Sequence, residues 1–433
     1  MAGGWSHGPV TGTDAHRAVE AVWRGEAARL IAGLAGMVRD VGLAEELAQD
    51  ALVAALEQWP ASGVPRNPGA WLMTVAKRRA VDLLRRGETY RRKLAEVGRD
   101  LAQGPDADPA AAQAAAEAEE ADGEIEDDLL RLVFTACHPV LPREARVAMA
   151  LRVLGGLTTA EIARAFLVPE PTVAQRIVRA KRTLAGRRIP FEVPRGAELA
   201  ERLAAVLEVI YLVFNEGYAA TAGDDWMRPA LCEEALRLGR VLAGLMPAEP
   251  EVHGLVALME IQQSRAAARV GPDGEPVLLL EQDRSRWDRV LIGRGLAALG
   301  RAEGLGGARG PYTLQAAIAA CHARALTPEE TDWERITALY GELARLVPTP
   351  VVELNRAVAL SMARGPAAGL ELVDRIAGEP ALRGYHLLPS VRGDLLARLG
   401  RRAEAREEFE RAAALTRNER ERALLLARAA DCD

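Results

Sequence analysis

Apolar residues recur at helical spacing along most of this 433-residue chain, and glycine and proline clusters separate the segments. In the segment 43–59 one apolar stripe repeats at steps of four, through Leu43, Leu47, Ala51, Ala55 and Trp59. Four polar residues lie off that stripe, namely Glu45, Glu46, Gln49 and Asp50. The pattern predicts an amphipathic helix with a carboxylate-rich outer face.

A second helix is predicted from Ala70, after the proline- and glycine-rich loop at 60–69. Nine basic residues stand between Arg66 and Lys93, against two acidic residues. Trp71 lies at the start of this basic helix. Aromatic residues combined with a basic helix are typical of proteins that bind a nucleic-acid backbone and exposed bases.

Residues 157–184 have the pattern of a helix–turn–helix. Thr158 and Glu161 form a capping box at the start of the first helix, and the turn is predicted at 168–171. In the second helix Val173 and Ile177 face inward, whereas the outward positions include Thr172, Gln175, Arg176 and Arg179. Such a helix can lie in the major groove of DNA.

Residues 190–433 are also predicted to be helical, interrupted at 271–289 by a loop and a short extended or helical segment. Near the end, small and large residues follow the spacing of a tetratricopeptide repeat, at Gly393, Leu396, Gly400, Ala405, Phe409 and Ala412. The segment 355–373 is a degenerate copy. Helix pairs over the whole half favour a tetratricopeptide (TPR)-like solenoid, so the chain is predicted to be all-α.

Composition agrees with a soluble helical protein, with 49% apolar, 27% charged and 4% aromatic residues. The net charge of −6 argues against nucleic-acid binding, but its distribution does not. Residues 129–188 carry 11 basic and 3 acidic side chains, and residues 96–128 carry 1 basic and 12 acidic side chains. Local charge is what meets phosphates, and the Ala-rich stretch 96–128 is predicted to be an acidic linker or a solvated helix.

Four cysteines occur without a C-x-x-C pair, and the pairs Cys137-His138 and Cys321-His322 lie far apart in the sequence. No disulfide framework, metal site or cofactor is expected. No secretory signal or membrane-spanning stretch is expected either, which favours the cytoplasm. A dense charge cluster at 281–288 predicts an ion-pair network between helix hairpins, or alternatively a ligand or partner pocket. Catalytic residues are not expected there or elsewhere.

The two blocks in this order resemble the extracytoplasmic-function (ECF) sigma factors of the sigma-70 family, which keep only regions 2 and 4. LAEELAQDALVAALEQWP is similar to regions 2.1–2.2, WLMTVAKRRAVDLLRR to regions 2.3–2.4, and the helix–turn–helix to region 4.2. The resemblance covers about residues 15–188. It implies binding to core RNA polymerase, through its β′ and β subunits, and to promoter DNA, without bond chemistry.

The resemblance also implies residue roles. The residues implied to meet an Arg-bearing coiled coil of β′ are Glu45, Glu46, Gln49 and Asp50. Those implied for the −10 element are Asn67, Trp71, Lys77, Arg78, Arg79, Arg85 and Arg86. Those implied for the −35 element are Thr172, Gln175, Arg176, Arg179, Lys181 and Arg182.

The second half resembles the extension of a sigma-factor subgroup, in segments such as VFNEGY, EQDRSRWDR and GPYTLQAAIAACHARA. This resemblance implies regulation by the extension, with a small YCII-like (DGPF) protein as a partner. The expected domains are region 2 (1–95), the linker (96–128), region 4 (129–189) and the extension (190–433). The alternative is a helix–turn–helix regulator that senses a ligand or peptide through its helical half.

Overall fold

Helices make up nearly all of the regular structure in the computed structural model, which describes residues 12–96, 117–272 and 274–432. Side chains are described from residue 19 onward within these ranges, except at 20, 24, 86–96 and 117–126. The chain divides into an N-terminal unit that ends at Val209 and a C-terminal unit that begins at Ile210. The predicted all-α class is confirmed.

The N-terminal unit contains both sequence blocks. The first block holds α1 (Gly12–Val38), α2 (Val41–Ser62) and α3 (Pro68–Glu96), and the second holds α4 (Glu117–Ala136), α5 (Arg143–Val153), α6 (Thr159–Phe166) and α7 (Glu170–Gly186). Local signals set the ends of α2. Asp40 caps its start by accepting the N–H of Leu43 at 3.0 Å, and Gly63, with φ of 78°, ends it in the left-handed region that favours glycine.

The boundary between the units falls inside α8 (Ala197–Tyr218), later than the expected domain end at residue 189. The first part of α8 is bound to the second block. Arg202 is buried and donates to the carbonyl oxygen of Phe134 at 3.0 Å. Glu208 pairs with Arg143 and Arg146 at 3.3 and 3.2 Å. The start of the predicted extension therefore completes the fold of the second block.

The C-terminal unit continues as a series of helices that pack on their neighbours along the chain. They are α9 (Pro229–Leu245), α10 (Pro250–Gln263), α11 (Arg289–Gly304), α12 (Pro311–Arg324), α13 (Trp333–Leu346), α14 (Pro350–Arg364), α15 (Pro366–Ile376), α16 (Leu387–Arg398), α17 (Arg402–Leu415) and α18 (Glu419–Ala430). In the hairpin of α16 and α17, a Cβ atom at Gly393 would come within 2.9 Å of the Phe409 ring. The small residue lets α16 and α17 approach closely, as the spacing predicted.

The two ends of the C-terminal unit meet, which an open solenoid does not require. Strand β1 (Ala222–Gly223) pairs in parallel with β2 (Arg417–Asn418). The side chain of Asn418 is buried and donates to the carbonyl oxygens of Ala220, 198 positions away, and Asp225 at 3.1 and 2.9 Å. The series of helices is thus closed by backbone and side-chain hydrogen bonds between its first and last segments.

Candidate nucleic-acid interface

One face of α3 combines an aromatic ring with cations. Trp71, Thr74, Arg78 and Arg85 share this face, because they stand at positions i, i+3, i+7 and i+14 of one helix. Arg78, Arg85 and Thr74 are exposed, and the Trp71 ring makes an edge contact at 5.5 Å with the buried Trp59 of α2. The other side of α3 is buried through Leu72, Ala76 and Ala80. Thr74 was not predicted, although its helical spacing from Trp71 and Arg78 is a signal for it.

The remaining residues predicted for the −10 element lie around this face. Asn67 is exposed, and its Oδ1 caps α3 by accepting the N–H of Ala70 at 3.1 Å. Lys77 is exposed, and Arg79 is half-buried with its guanidinium 3.2 Å from the carboxylate of Asp50. Arg86 lies in α3, outside the residues whose side chains the structure describes. The predicted basic helix is therefore present, with Asn67 in a capping position.

The helix–turn–helix is formed by α6 and α7. The predicted capping box is present, since the Glu161 N–H donates to Thr158 Oγ1 at 3.1 Å and the Thr158 N–H to Glu161 Oε2 at 2.8 Å. Leu167, with φ of 49°, ends α6 in the left-handed region. Helix α7 begins at Glu170, inside the predicted turn at 168–171. Pro171 belongs to its first turn because the fixed φ of proline suits that position.

Helix α7 presents four polar residues on one outward face. Thr172, Gln175, Arg179 and Arg182 stand at i, i+3, i+7 and i+10, and the last three are exposed. Arg176 lies beside this face and is half-buried. The inward positions Val173 and Ile177 are buried, as predicted. The outward face has the side chains and the position in the motif that major-groove recognition requires.

Two predicted contact residues, Glu45 and Lys181, are paired with each other inside the N-terminal unit. Glu45 is 2% exposed, and its Oε2 lies 2.7 Å from Lys181 Nζ. Its Oε1 accepts from Arg152 Nε at 2.6 Å and from Gln49 Nε2 at 2.7 Å. Lys181 accordingly lies on the side of α7 away from Gln175. In this arrangement Glu45 is closed to a partner, and the Lys181 amine is paired with it.

The pairing shows that α2 has a second buried side. This side includes Glu45, which the sequence placed on the carboxylate-rich outer face. Glu46 and Asp50 are exposed, as predicted, whereas Glu45 is covered by the second block. A further buried contact joins the blocks, because Trp23 Nε1 donates to the carbonyl oxygen of Gly156 at 3.2 Å. The two blocks therefore pack as one unit.

The charge cluster at 281–288 is not the predicted ion-pair network in the described part of the chain. Arg284 is buried and donates to the carbonyl oxygens of His322 and Ala325 at 3.0 and 2.9 Å. Asp283 caps the short 3-10 helix Arg284–Arg286, and Asp288 caps α11, each by accepting backbone N–H groups. The ends of helices leave carbonyl oxygens without partners, and at α12 the Arg284 guanidinium supplies donors for them.

Each Cys-His pair has one buried member, Cys137 in the first and His322 in the second. Burial raises the pKa of the Cys137 thiol to about 12, so it stays protonated. Burial, and then the cations Arg265 and Arg284, lower the pKa of His322 to about 3. Among the described residues, no group of three or more His, Cys, Asp or Glu side chains is placed to hold a metal ion.

Replacing His322 with phenylalanine is expected to flatten the pH dependence of stability. The pKa of His322 falls from 6.5 to about 3 on folding, so between these values the unfolded chain binds a proton that the folded chain does not. Lowering the pH through this window therefore reduces the unfolding free energy by up to about 1.4 kcal/mol per pH unit. Phenylalanine keeps a ring against Trp333, which His322 contacts edge-on at 5.1 Å. Urea unfolding across this window tests the expectation, and equal slopes for both proteins would contradict it.

The two blocks match family models at the positions expected from the sequence. Residues 24–89 match Sigma-70 region 2, and residues 131–184 match Sigma-70, region 4. Residues 202–303 match a family of unknown function, DUF6596. The chain is 48% identical over 389 residues to an uncharacterized protein of Rhizobium meliloti (strain 1021), which covers 89% of each chain.

None of the described helices is both long and apolar enough to cross a membrane.

The two sigma-70 regions account for the exposed basic face of α3 and for the helix–turn–helix of α6 and α7. These regions imply interaction with core RNA polymerase and with promoter DNA. The chain therefore contains regions 2 and 4 of the sigma-70 family, and these regions support a sigma factor for promoter-specific transcription initiation.

Proposed function

We propose that this chain is an alternative sigma factor of the ECF type whose C-terminal unit regulates its activity. Region 2 (1–95) docks on the β′ coiled coil of core polymerase through the exposed side of α2, with Glu46, Gln49 and Asp50. The exposed faces of α3 and α7 bind the −10 and −35 elements. These two faces, each backed by a buried apolar stripe, are the observation that supports the proposal most strongly.

At the −10 element, the face of α3 offers a ring and a hydroxyl for a base and cations for phosphates. Trp71 stacks on an unpaired base, beside Thr74. Lys77, Arg78, Arg79, Arg85 and Arg86 hold the phosphates. Asn67 contributes through its amide nitrogen, because its carboxamide oxygen already caps α3. Extruding a base costs a few kcal/mol of stacking, which this preformed surface offsets.

Replacing Gln175 and Arg179 together with alanine is expected to weaken promoter binding about 30-fold or more, because the two base contacts contribute about 1–3 kcal/mol each. Both side chains are exposed on the outward face of α7, so folding is preserved. The matched control is Arg164→Ala, an exposed arginine on α6 that the proposal places outside the interface. Polymerase-bound protein is titrated with −35 DNA at several salt concentrations. Equal losses in the double variant and the control would contradict the assignment.

Use of Glu45 or Lys181 as contacts requires the two blocks to separate. In the structure Lys181 and Arg152 pair with Glu45. The amine of Lys181 therefore does not lie on the outward face of α7. The arrangement with both blocks packed thus corresponds to the protein before polymerase and promoter binding. Separation breaks this ion-pair cluster and the Trp23–Gly156 hydrogen bond.

The C-terminal unit is proposed to be a TPR-like regulatory domain that binds a small YCII-like (DGPF) protein. The test is run-off transcription with core polymerase, comparing the full chain with a chain that ends after Val209. An end at residue 190 is unsuitable, since it removes Arg202 and Glu208 from the N-terminal unit. Unchanged, equally regulated transcription by the shortened chain would refute the regulatory role. DNA binding without polymerase, and no transcription by either form, would instead indicate a helix–turn–helix regulator.

A further inference from the structure

Three arginine side chains are buried close together in the C-terminal unit. Arg265, Arg269 and Arg284 are 9, 7 and 4% exposed. The guanidinium carbon of Arg265 lies 5.8 and 5.7 Å from the ring centres of Tyr218 and Trp287, which also face Arg269 and Arg284 respectively. No carboxylate among the described residues forms an ion pair with any of the three. Buried charges are normally paired, so this cluster requires an explanation.

Two of the three guanidinium groups have protein partners. Arg269 donates to the carbonyl oxygen of Tyr218 at the end of α8, and Arg284 donates to the two carbonyl oxygens at the end of α12 and to Thr331 Oγ1. Both serve the free carbonyl groups of helix ends. Arg265 is different, because its guanidinium group makes no hydrogen bond to any described residue. The Nε atoms of Arg265 and Arg284 are both buried without a partner.

The surroundings of Arg265 do not supply a counter-charge. Its charge acts on the pKa of Tyr340 in α13, and burial raises that pKa to about 12, so the phenol stays neutral. The hydroxyl of Tyr211, which also acts on Tyr340, donates to Gln315 Oε1 at 3.1 Å. Neutral phenols and aromatic faces stabilise a cation less than an anion does. No carboxylate among the described residues therefore pairs with Arg265.

We propose that Arg265 binds the carboxylate or phosphate group of a small anionic ligand in the C-terminal unit. A guanidinium group matches both oxyanions in a two-point geometry, and a charge-assisted hydrogen bond is strongest where water is excluded. The proposal concerns binding by this unit and does not depend on transcription.

Thermal unfolding of the full chain, with and without added anion, tests the site directly. The probes are inorganic phosphate and acetate, each titrated against sodium chloride at equal ionic strength. The unfolding temperature of the wild type is expected to rise along a saturating curve, because a ligand that binds the folded state stabilises it. The anion that saturates at the lower concentration identifies the phosphate or the carboxylate as the preferred group.

The informative variant is Arg265→Met, with Arg286→Met as the matched control, since Arg286 is an exposed arginine outside the buried cluster, in the charged segment 281–288. Arg265→Met is expected to lose the saturating shift, and without anion to unfold at the same or a higher temperature than the wild type, because an unpaired buried charge has been removed. Phosphate stabilises many proteins without saturation, and the variant measures that background.

Two results would overturn the proposal. One is a wild type without a saturating shift with either anion. The other is an Arg265→Met protein that unfolds at a lower temperature but keeps the full shift, which indicates a purely structural arginine. Should Arg265→Met not fold, the variant to use is Arg265→Lys, which keeps the positive charge but loses the two-point hydrogen-bonding geometry of the guanidinium group. Saturation of this variant is then expected at about 10-fold higher anion concentration. Unchanged saturation in that variant would equally refute the site.

Discussion

Reversing both charges in the Glu46→Arg/Asp50→Arg variant is expected to abolish promoter-specific transcription while the protein stays folded. Both carboxylates are exposed on α2, and the Asp50–Arg79 pair is largely solvated, so its loss costs at most about 1 kcal/mol of stability. At the polymerase, two cations would face an Arg-bearing surface. Like charges across an interface cost several kcal/mol, so binding is expected to weaken about 100-fold or more.

The measurement is competition for core polymerase together with run-off transcription. The matched control is Glu192→Arg/Glu201→Arg, which makes the same change in charge at exposed residues of the N-terminal unit outside region 2. Urea unfolding of both variants checks that the fold is intact. Polymerase binding equal to that of the control would remove α2 from the proposed interface.

Replacing Glu45 with glutamine is expected to lower the free energy of unfolding. The same replacement at its neighbour Glu46 is expected to leave it almost unchanged. The substitution leaves Arg152 and Lys181, which are 18 and 22% exposed, facing each other without an anion. Removing one partner of a buried ion pair is strongly destabilising, and with the partial exposure of the cations we expect a loss of about 2–4 kcal/mol. Urea unfolding of the full chain measures this loss.

The matched control is Glu46→Gln, which removes the same charge from an exposed position and is expected to change stability by less than about 0.5 kcal/mol. A triple variant, Glu45→Leu/Arg152→Met/Lys181→Met, is expected to recover most of the lost stability, because all three buried charges are then absent. Equal stability of Glu45→Gln and Glu46→Gln would show that the two blocks are not held together by this cluster.

Local patterns in the sequence determined the helices and the sites at their ends. The apolar stripe of α2, the capping box at Thr158 and Glu161, and the outward positions of α7 each depend on residues within a few turns of one another. The same holds for Gly393 and Phe409, which belong to one helix hairpin. Because these contacts are local, spacing alone predicted the all-α class, the helix–turn–helix and the exposed basic faces.

Contacts between distant parts of the chain were decided only by the tertiary structure. Glu45 is buried because Arg152, 107 positions later, and Lys181 pack against it. The second block extends into α8 through Arg202. Strand β1, near the start of the C-terminal unit, pairs with β2, near its end. A helical pattern shows one apolar stripe but not what covers the other sides of the helix.

The same reason explains why the arginine cluster could not be interpreted from sequence. The charges at 281–288 indicated ion pairs, yet Arg284 bonds to carbonyl groups of α12, whose position depends on the whole series of helices. The sequence by itself determined that this protein is helical, carries two sigma-factor regions and has a long helical extension. Only the tertiary structure decided which charged residues are exposed for partners and which are buried, because burial depends on long-range packing.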